Sequence, residues 1–128
     1  MNFNGKILLV DDEPHIRKFI SLILKKFGHP IITEASNGEE ALEAYQTNKP
    51  DFVLLDVNMP RMDGFSFLRT LRRSAADVAT LPALVITTES GEDDLRAARA
   101  AGANFYLVKP VSQQDLVRHV AALSGEPT

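Results

Sequence analysis

The sequence alternates five times between a short apolar run and a longer stretch in which apolar residues recur every three or four positions. Residues with that period form one face of an amphipathic helix, as in the stretch that begins at Pro14 and stops at Gly28. Apolar strands joined by helices are typical of a parallel sheet covered on both faces. The alternation therefore predicts one doubly wound α/β domain of (βα)5 order. The predicted strands are 6–10, 31–35, 52–55, 83–87 and 105–108.

The other four predicted helices carry start or stop signals. Ser36-Asn-Gly-Glu39 has capping-box spacing and opens the second helix. A third helix is predicted from about Phe65 to Leu71, and a fourth from about Gly91 to Ala101, where Gly102 would end it. Ser112 is the predicted cap of the fifth helix. In a sheet of this kind, ligands bind outside the carboxyl ends of the strands.

Composition excludes several classes of protein. A length of 128 residues suits one domain, which we place at residues 1–123, with 124–128 as a short tail or the start of a linker. The chain has no cysteine, so disulfides and thiolate metal sites are excluded. A net charge of -3 gives no basic surface for direct binding of nucleic acid. No apolar run is long enough to insert into a membrane, and the first residues lack the apolar centre of a signal peptide, so we expect a cytoplasmic protein.

Polar residues stand at the carboxyl ends of four of the five predicted strands, namely Asp11-Asp12, Asp56, Thr87-Thr88 and Lys109-Pro110. Each has an ordinary interpretation. Asp11 or Asp12 could cap the first helix, Asp56 could be a turn residue, Thr87 a strand residue and Lys109 a solvated loop lysine. Their convergence on one edge of the sheet favours a functional site, because crowded carboxylates repel one another unless they share protons or hold a cation.

The residue types at this edge indicate a particular chemistry. Carboxylate oxygens without nearby His or Cys are the ligands that Mg²⁺ prefers. A bound Mg²⁺ opposed by a lysine and a hydroxyl would suit a phosphoryl group, whose transfer depends mostly on positioning and charge stabilisation. A carboxylate at the centre of such a site could act as the nucleophile and form an acyl phosphate. Asp56 is the best candidate because it ends a central strand.

Four motifs carry a resemblance to a known family: LLVDDE, VLLDVNMPRMDG, PALVITTE and GANFYLVKP. At these spacings the sequence resembles the receiver domain of two-component response regulators, most closely the stand-alone chemotaxis (CheY-like) type, over about residues 5–123. The resemblance implies a flavodoxin-like sheet with strand order 2-1-3-4-5. It also implies a signalling domain that catalyses only its own phosphorylation and dephosphorylation.

Carried over by motif, the resemblance makes Asp56 the phosphoacceptor and a metal ligand. Asp12 would ligate Mg²⁺ directly, Asp11 would help through water, and Asn58 would offer its backbone carbonyl. Mg²⁺ is the implied cofactor, and no organic cofactor is expected.

The resemblance also assigns a switch. Thr87 would hydrogen-bond the phosphoryl group, Lys109 would pair with it, and the Lys109-Pro110 peptide would be cis. Tyr106 would turn inward when Thr87 moves. Asn58 and Glu89 would flank the path of the hydrolytic water.

The implied phosphoryl donor is a sensor histidine kinase or a histidine phosphotransfer protein. An output protein would dock on the face formed by the fourth helix, the fifth strand and the fifth helix, and the chain itself would be a monomer or weak dimer. One alternative is a receiver that is part of a longer regulator with an output domain. A second is an aspartyl-phosphate phosphatase, although Asn58 stands where such enzymes use a general acid. A nucleotide or flavin module is disfavoured because Asp11-Asp12-Glu13, rather than a glycine-rich loop, follows the first strand.

Overall fold

Five parallel strands form a single sheet in the computed structural model of the chain, in the order β2-β1-β3-β4-β5. The structure describes residues 5–26, 28–56, 68–70, 73, 82–87, 91–109 and 111–124. The strands are β1 (Lys6–Val10), β2 (Ile31–Ala35), β3 (Phe52–Asp56), β4 (Ala83–Thr87) and β5 (Phe105–Val108). The predicted fold class and strand order are confirmed, and β3 extends one residue further than predicted, to include Asp56.

Within the described ranges, four complete helices connect or follow these strands: α1 (Pro14–Lys25), α2 (Gly38–Asn48), α3 (Glu92–Ala101) and α4 (Gln113–Ser124). Leu68–Thr70 and Arg73 are also helical and lie in or next to the third predicted helix. Helices α3 and α4 therefore correspond to the fourth and fifth predicted helices. None of the helices in the described parts of the chain is long and apolar enough to cross a membrane.

The sheet separates two apolar clusters, because alternate residues of a strand point to opposite faces. Leu8, Val53 and Val85 belong to the cluster that α2 covers, which also contains Leu68 and Ala101. On the other face the strands pack against α1 and α4, through the buried residues Ile7, Leu9, Ile20, Ile23, Leu24, Leu54, Leu84, Ile86, Leu116 and Val120. Coverage on both faces is thus confirmed for the central strands. The edge strands are more exposed, with Ile31 of β2 58% and Phe105 of β5 37% accessible.

The helix caps agree only partly with the sequence-based expectation. Ser112 caps α4 by accepting the N–H of the residue three positions later at 3.1 Å, and Gly102 ends α3 with a φ of 105°. In α2 the cap is Asn37, whose side chain accepts the N–H of Glu40 at 2.9 Å, and not Ser36 as predicted. Ser36 instead donates its N–H and hydroxyl to the Glu40 carboxylate, so the reciprocal pattern is shifted by one residue.

The start of α1 leaves the two acidic residues before it available for another purpose. Glu13 is the N-cap and makes no side-chain cap hydrogen bond, while Pro14 fills the first helical position. The alternative that Asp11 or Asp12 caps this helix is therefore wrong. The Asp11 carboxylate instead accepts the N–H of Glu13 itself at 2.9 Å, which closes a tight turn ahead of the helix.

Candidate functional site

The sheet register brings the ends of β1, β3, β4 and β5 to one edge. Val10 pairs with Leu55, Asp56 pairs with Ile86, and Thr87 pairs with Val108. Asp11 and Lys109 directly follow the two strands that flank this group, and their side chains meet across the edge. The strand ends therefore converge as the sequence predicted, as shown by the register of the strands and by the contact between Asp11 and Lys109.

An acidic loop, Asp11-Asp12-Glu13, lies at the end of β1. Each residue offers one carboxylate oxygen, and the three oxygens lie within 4.8 Å of one another. The Asp11 side chain is only 3% exposed, whereas that of Glu13 is 45% exposed and Asp12 is half-buried. The Asp11 N–H donates to the Ala35 carbonyl at 3.1 Å, which anchors the loop to β2. Clustered oxygen ligands of this kind fit Mg²⁺.

Lys109 supplies the positive charge opposite the acidic loop. Its Nζ lies 3.5 Å from Asp11 Oδ2 and 3.6 Å from Glu13 Oε1, and the side chain is 17% exposed. Its backbone N–H donates to the Thr87 carbonyl at 2.7 Å. The lysine thus connects the end of β4 to the end of β1 and offsets part of the charge of the loop.

Thr87 and Tyr106 occupy the same face of the sheet. Tyr106 pairs in register with Val85, and Thr87 is two residues beyond Val85 on the same strand. Thr87 is fully buried, whereas Tyr106 is half-buried and packs against the cluster that contains Val85. The two residues therefore lie on the same face of neighbouring strands, Thr87 two positions further along the sheet than Tyr106.

Several of the predicted site features lie outside the described part of the chain. They are Asn58, Glu89, Pro110 and the side chain of Asp56, although the Asp56 backbone is described as the last residue of β3. The cis peptide and the path of the hydrolytic water accordingly stay predictions.

Two residues to which the sequence analysis assigned no role of their own take part in the contacts of the acidic loop, one within it and one on α1. Glu13 is the second partner of Lys109. Arg17 donates from Nη1 to the Asp11 carbonyl at 2.6 Å and from Nε to Glu34 Oε1 at 2.9 Å. The Asp-Asp-Glu run could have indicated the role of Glu13, since three acids in a row need a counter-charge. Nothing in the sequence pairs Arg17 with Glu34, because the two are far apart along the chain.

One cavity adjoins the acidic loop and another adjoins Tyr106. One of about 650 Å³ lies between α1 and the segment after β5, next to the acidic loop, and its lining includes Ile16, Phe19, Ile86 and Lys109. Phe19 is 46% exposed there, so an apolar surface borders the acidic loop. A second cavity, of about 220 Å³, lies among α3, β5 and α4; its lining is Leu95, Ala98, Arg99, Ala103, Asn104, Phe105, Tyr106 and His119.

The fold and the strand-end residues together place the chain among two-component signalling proteins. An acidic loop, a buried threonine and a lysine meet at the carboxyl edge of a 2-1-3-4-5 sheet. The chain belongs to the response regulator receiver domain family, whose model matches residues 7–121.

Individual relatives agree with this assignment. The chain is 37% identical to the transcriptional regulatory protein PdtaR of Mycobacterium tuberculosis, an alignment that covers 94% of this chain and 62% of PdtaR. It is 34% identical to protein PilH of Pseudomonas aeruginosa, with 94% of this chain and 99% of PilH covered. Among solved structures it is similar to the chemotaxis protein CheY4 of Vibrio cholerae, with a TM-score of 0.87, 33% identity, and coverage of 94% and 99%. A response regulator from Chloroflexus aurantiacus aligns with a TM-score of 0.89 and 32% identity, over 97% of this chain and 100% of that one.

Proposed function

We propose that the protein is a phosphorylation switch in which Asp56 accepts a phosphoryl group in a Mg²⁺-dependent reaction and thereby changes the binding of a partner. The observation that carries the proposal is the meeting of Lys109 with Asp11 and Glu13 at the edge where β3 ends in Asp56. Transfer of a dianionic phosphoryl group requires positive charge that stabilises it. Lys109 and a carboxylate cluster able to bind a metal ion would supply that charge at one edge of the sheet.

The side chains have separate roles in this proposal. The Asp56 carboxylate attacks phosphorus, so that an oxygen–phosphorus bond forms while the bond to the donor's histidine nitrogen breaks. Asp12, the Asp56 carboxylate and the Asn58 carbonyl would hold Mg²⁺, and the buried Asp11 would help through water, as the resemblance implies. The metal, when bound, would neutralise charge on the phosphoryl oxygens. Lys109 leaves its carboxylate partners and pairs with the phosphoryl group, and Thr87 donates its hydroxyl.

The phosphoryl donor in this proposal is a sensor histidine kinase or a histidine phosphotransfer protein, with the cytoplasm as the site of action. The apolar cavity beside Lys109 supports such a donor, because Lys109 and the exposed Phe19 line it together and so offer an apolar contact surface next to the site. Phosphorylation and dephosphorylation of Asp56 would be the only reactions that the domain catalyses.

The output in this proposal is a partner that docks on α3, β5 and α4. Movement of Thr87 toward the phosphoryl group would vacate space behind its side chain. Tyr106 would then turn inward into that space, away from the 220 Å³ cavity that it lines on this face. A partner that prefers the turned-in form would bind the phosphorylated protein more tightly, and by linkage would favour phosphorylation. The chain would act as a monomer or weak dimer, without direct contact with nucleic acid.

A receiver within a longer regulator is the second candidate. One observation favours it: the chain spans about 62% of the length of PdtaR. The match to PilH over 99% of its length favours the stand-alone receiver instead. The phosphoacceptor chemistry is the same in both cases, so the two candidates differ only in where the output lies.

Acetyl phosphate with Mg²⁺ tests the proposal against a phosphatase. Intact-protein mass spectrometry should show the addition of one phosphoryl group, dependent on Mg²⁺ and absent in Asp56→Asn. Asn is the matched control because it keeps the size of the side chain but is a poor nucleophile. Steady turnover of added phosphate esters without a labelled protein would contradict the switch and support the phosphatase.

A further inference from the structure

We propose that Arg17 is a positioning residue for the metal site. It holds the peptide between Asp11 and Asp12 in the orientation that lets the Asp12 carboxylate reach Mg²⁺. The inference deepens the proposed function and rests on it, because it concerns the same site.

The geometry begins with where Arg17 stands on α1. Its backbone N–H donates to the Glu13 carbonyl at 3.2 Å, in the first turn of the helix. Its guanidinium reaches back over that turn, and Nη1 donates to the Asp11 carbonyl at 2.6 Å. The side chain is only 17% exposed, so water competes weakly for this carbonyl. The carbonyl belongs to the same planar peptide as the N–H of Asp12, and fixing one fixes the other.

The guanidinium is itself held from the neighbouring strand. Nε donates to Glu34 Oε1 at 2.9 Å, and Glu34 precedes Ala35, whose carbonyl accepts the Asp11 N–H. The two peptide groups on either side of the Asp11 α-carbon are therefore both tied to the end of β2, one directly and one through Arg17. An Arg suits this bridge because its planar group presents several donors at fixed angles.

The charge of Arg17 and its positioning role predict opposite effects on the affinity for Mg²⁺, which makes the inference testable. Arg17 is a cation close to a site for a cation, so removing its charge should strengthen Mg²⁺ binding if long-range repulsion were its main influence. If it positions the loop, removing it should weaken binding. Residues that orient metal ligands typically change affinity by about 10–100-fold when they are replaced.

The test is a Mg²⁺ titration of Arg17→Gln followed by amide chemical shifts in NMR spectra. Lys18→Gln is the matched control, since it removes the same charge from the next residue of α1, where the side chain is exposed. We expect the dissociation constant of Arg17→Gln to rise about tenfold or more, and that of Lys18→Gln to stay the same or fall slightly.

Arg17→Lys is the second variant and keeps the charge in case Arg17→Gln fails to fold. One ammonium cannot satisfy both acceptors in the same geometry, so we expect a loss of affinity smaller than that of Arg17→Gln. Glu34→Gln keeps an acceptor for Nε and should bind Mg²⁺ nearly as the wild type does.

Affinities of the folded Arg17 variants equal to that of Lys18→Gln would overturn the inference while leaving the proposed function intact, because the wild type would still bind Mg²⁺ and accept phosphoryl groups. A wild type that binds no Mg²⁺ would remove the proposed metal site, and the inference with it. A lower unfolding temperature with unchanged affinity would assign Arg17 a structural role only, and would also overturn the inference.

Discussion

Replacing Lys109 with Met should make the free energy of unfolding depend on Mg²⁺ more strongly than it does in the wild type. Met keeps most of the apolar stem and removes the ammonium that lies 3.5 Å from Asp11 and 3.6 Å from Glu13. Asp11 then remains buried, with its hydrogen bond from the Glu13 N–H but without this counter-charge. A metal ion can take the place of the ammonium, so the loss should be largest when Mg²⁺ is absent.

The distances set the size of the effect. At 3.5 Å the Asp11–Lys109 attraction is about 1 kcal/mol in bulk water and about 5 kcal/mol at an effective dielectric constant of about 20. Desolvation of both groups offsets part of this attraction, and Lys109 retains some exposure, so we expect a net loss of about 1–3 kcal/mol in the free energy of unfolding. If Mg²⁺ recovers about 1.4 kcal/mol of this loss, the Mg²⁺ dissociation constant of the variant should fall about tenfold.

The assay is urea unfolding of wild type, Lys109→Met and Lys18→Met, each with EDTA and with saturating Mg²⁺. In EDTA, Lys109→Met should be the least stable of the three. With Mg²⁺ its deficit should shrink or reverse, because a ligand stabilises a protein according to its affinity for the folded state. Equal stabilities of Lys109→Met and wild type in EDTA, with overlapping Mg²⁺ titrations, would refute the ion pair as the counter-charge of this site.

Three further predictions concern other residues. Asp12→Ala should weaken Mg²⁺ binding more than Asp11→Ala does. Asp11→Ala should lower the free energy of unfolding more, because Asp11 is the buried and hydrogen-bonded member of the pair. Metal titrations and unfolding curves of both variants test this, and the reverse order in either measurement would contradict it. Thr87→Val, which removes the hydroxyl at constant shape, should leave Asp56 phosphorylation measurable but abolish the gain in partner affinity, and a phosphorylation-dependent gain that survives in this variant would exclude Thr87 from the switch. Ser21→Ala should raise the free energy of unfolding by about 0.5–1.5 kcal/mol, since the buried Ser21 hydroxyl has no hydrogen-bond partner among the described residues, and equal or lower stability in thermal unfolding would contradict this expectation.

The strands and helices were predictable because their patterns are strongly periodic. Each described strand lies within a residue of its predicted bounds, and helix α3 ends at the predicted Gly102. The differences occur where short-range signals compete. Asn37 and Ser36 are both good caps and differ by one position, and α1 ends at Lys25, before the predicted stop at Gly28.

The candidate site was predictable only in the residues that the strands deliver. The positions of Asp11 and Lys109 at strand ends follow from the alternation of apolar runs, and parallel strands bring such ends together. The contact between Arg17 and Glu34 depends on how α1 lies against β2, which no local pattern specifies. The pairing of Glu13 with Lys109 likewise depends on the turn that Asp11 closes. These contacts depend on how the elements pack together in three dimensions, whereas the positions of the strands and helices follow from the spacing of apolar residues along the sequence.

Chemical mapping of the acyl phosphate tests the central claim most directly. The protein is incubated with acetyl phosphate and Mg²⁺, reduced with borohydride so that an aspartyl phosphate becomes homoserine, digested and sequenced by mass spectrometry. We predict homoserine at position 56 and no conversion at Asp11 or Asp12, and no homoserine when Mg²⁺ is withheld. Conversion at another aspartate with Asp56 unmodified, or no acyl phosphate under conditions in which the folded protein binds Mg²⁺, would contradict the account.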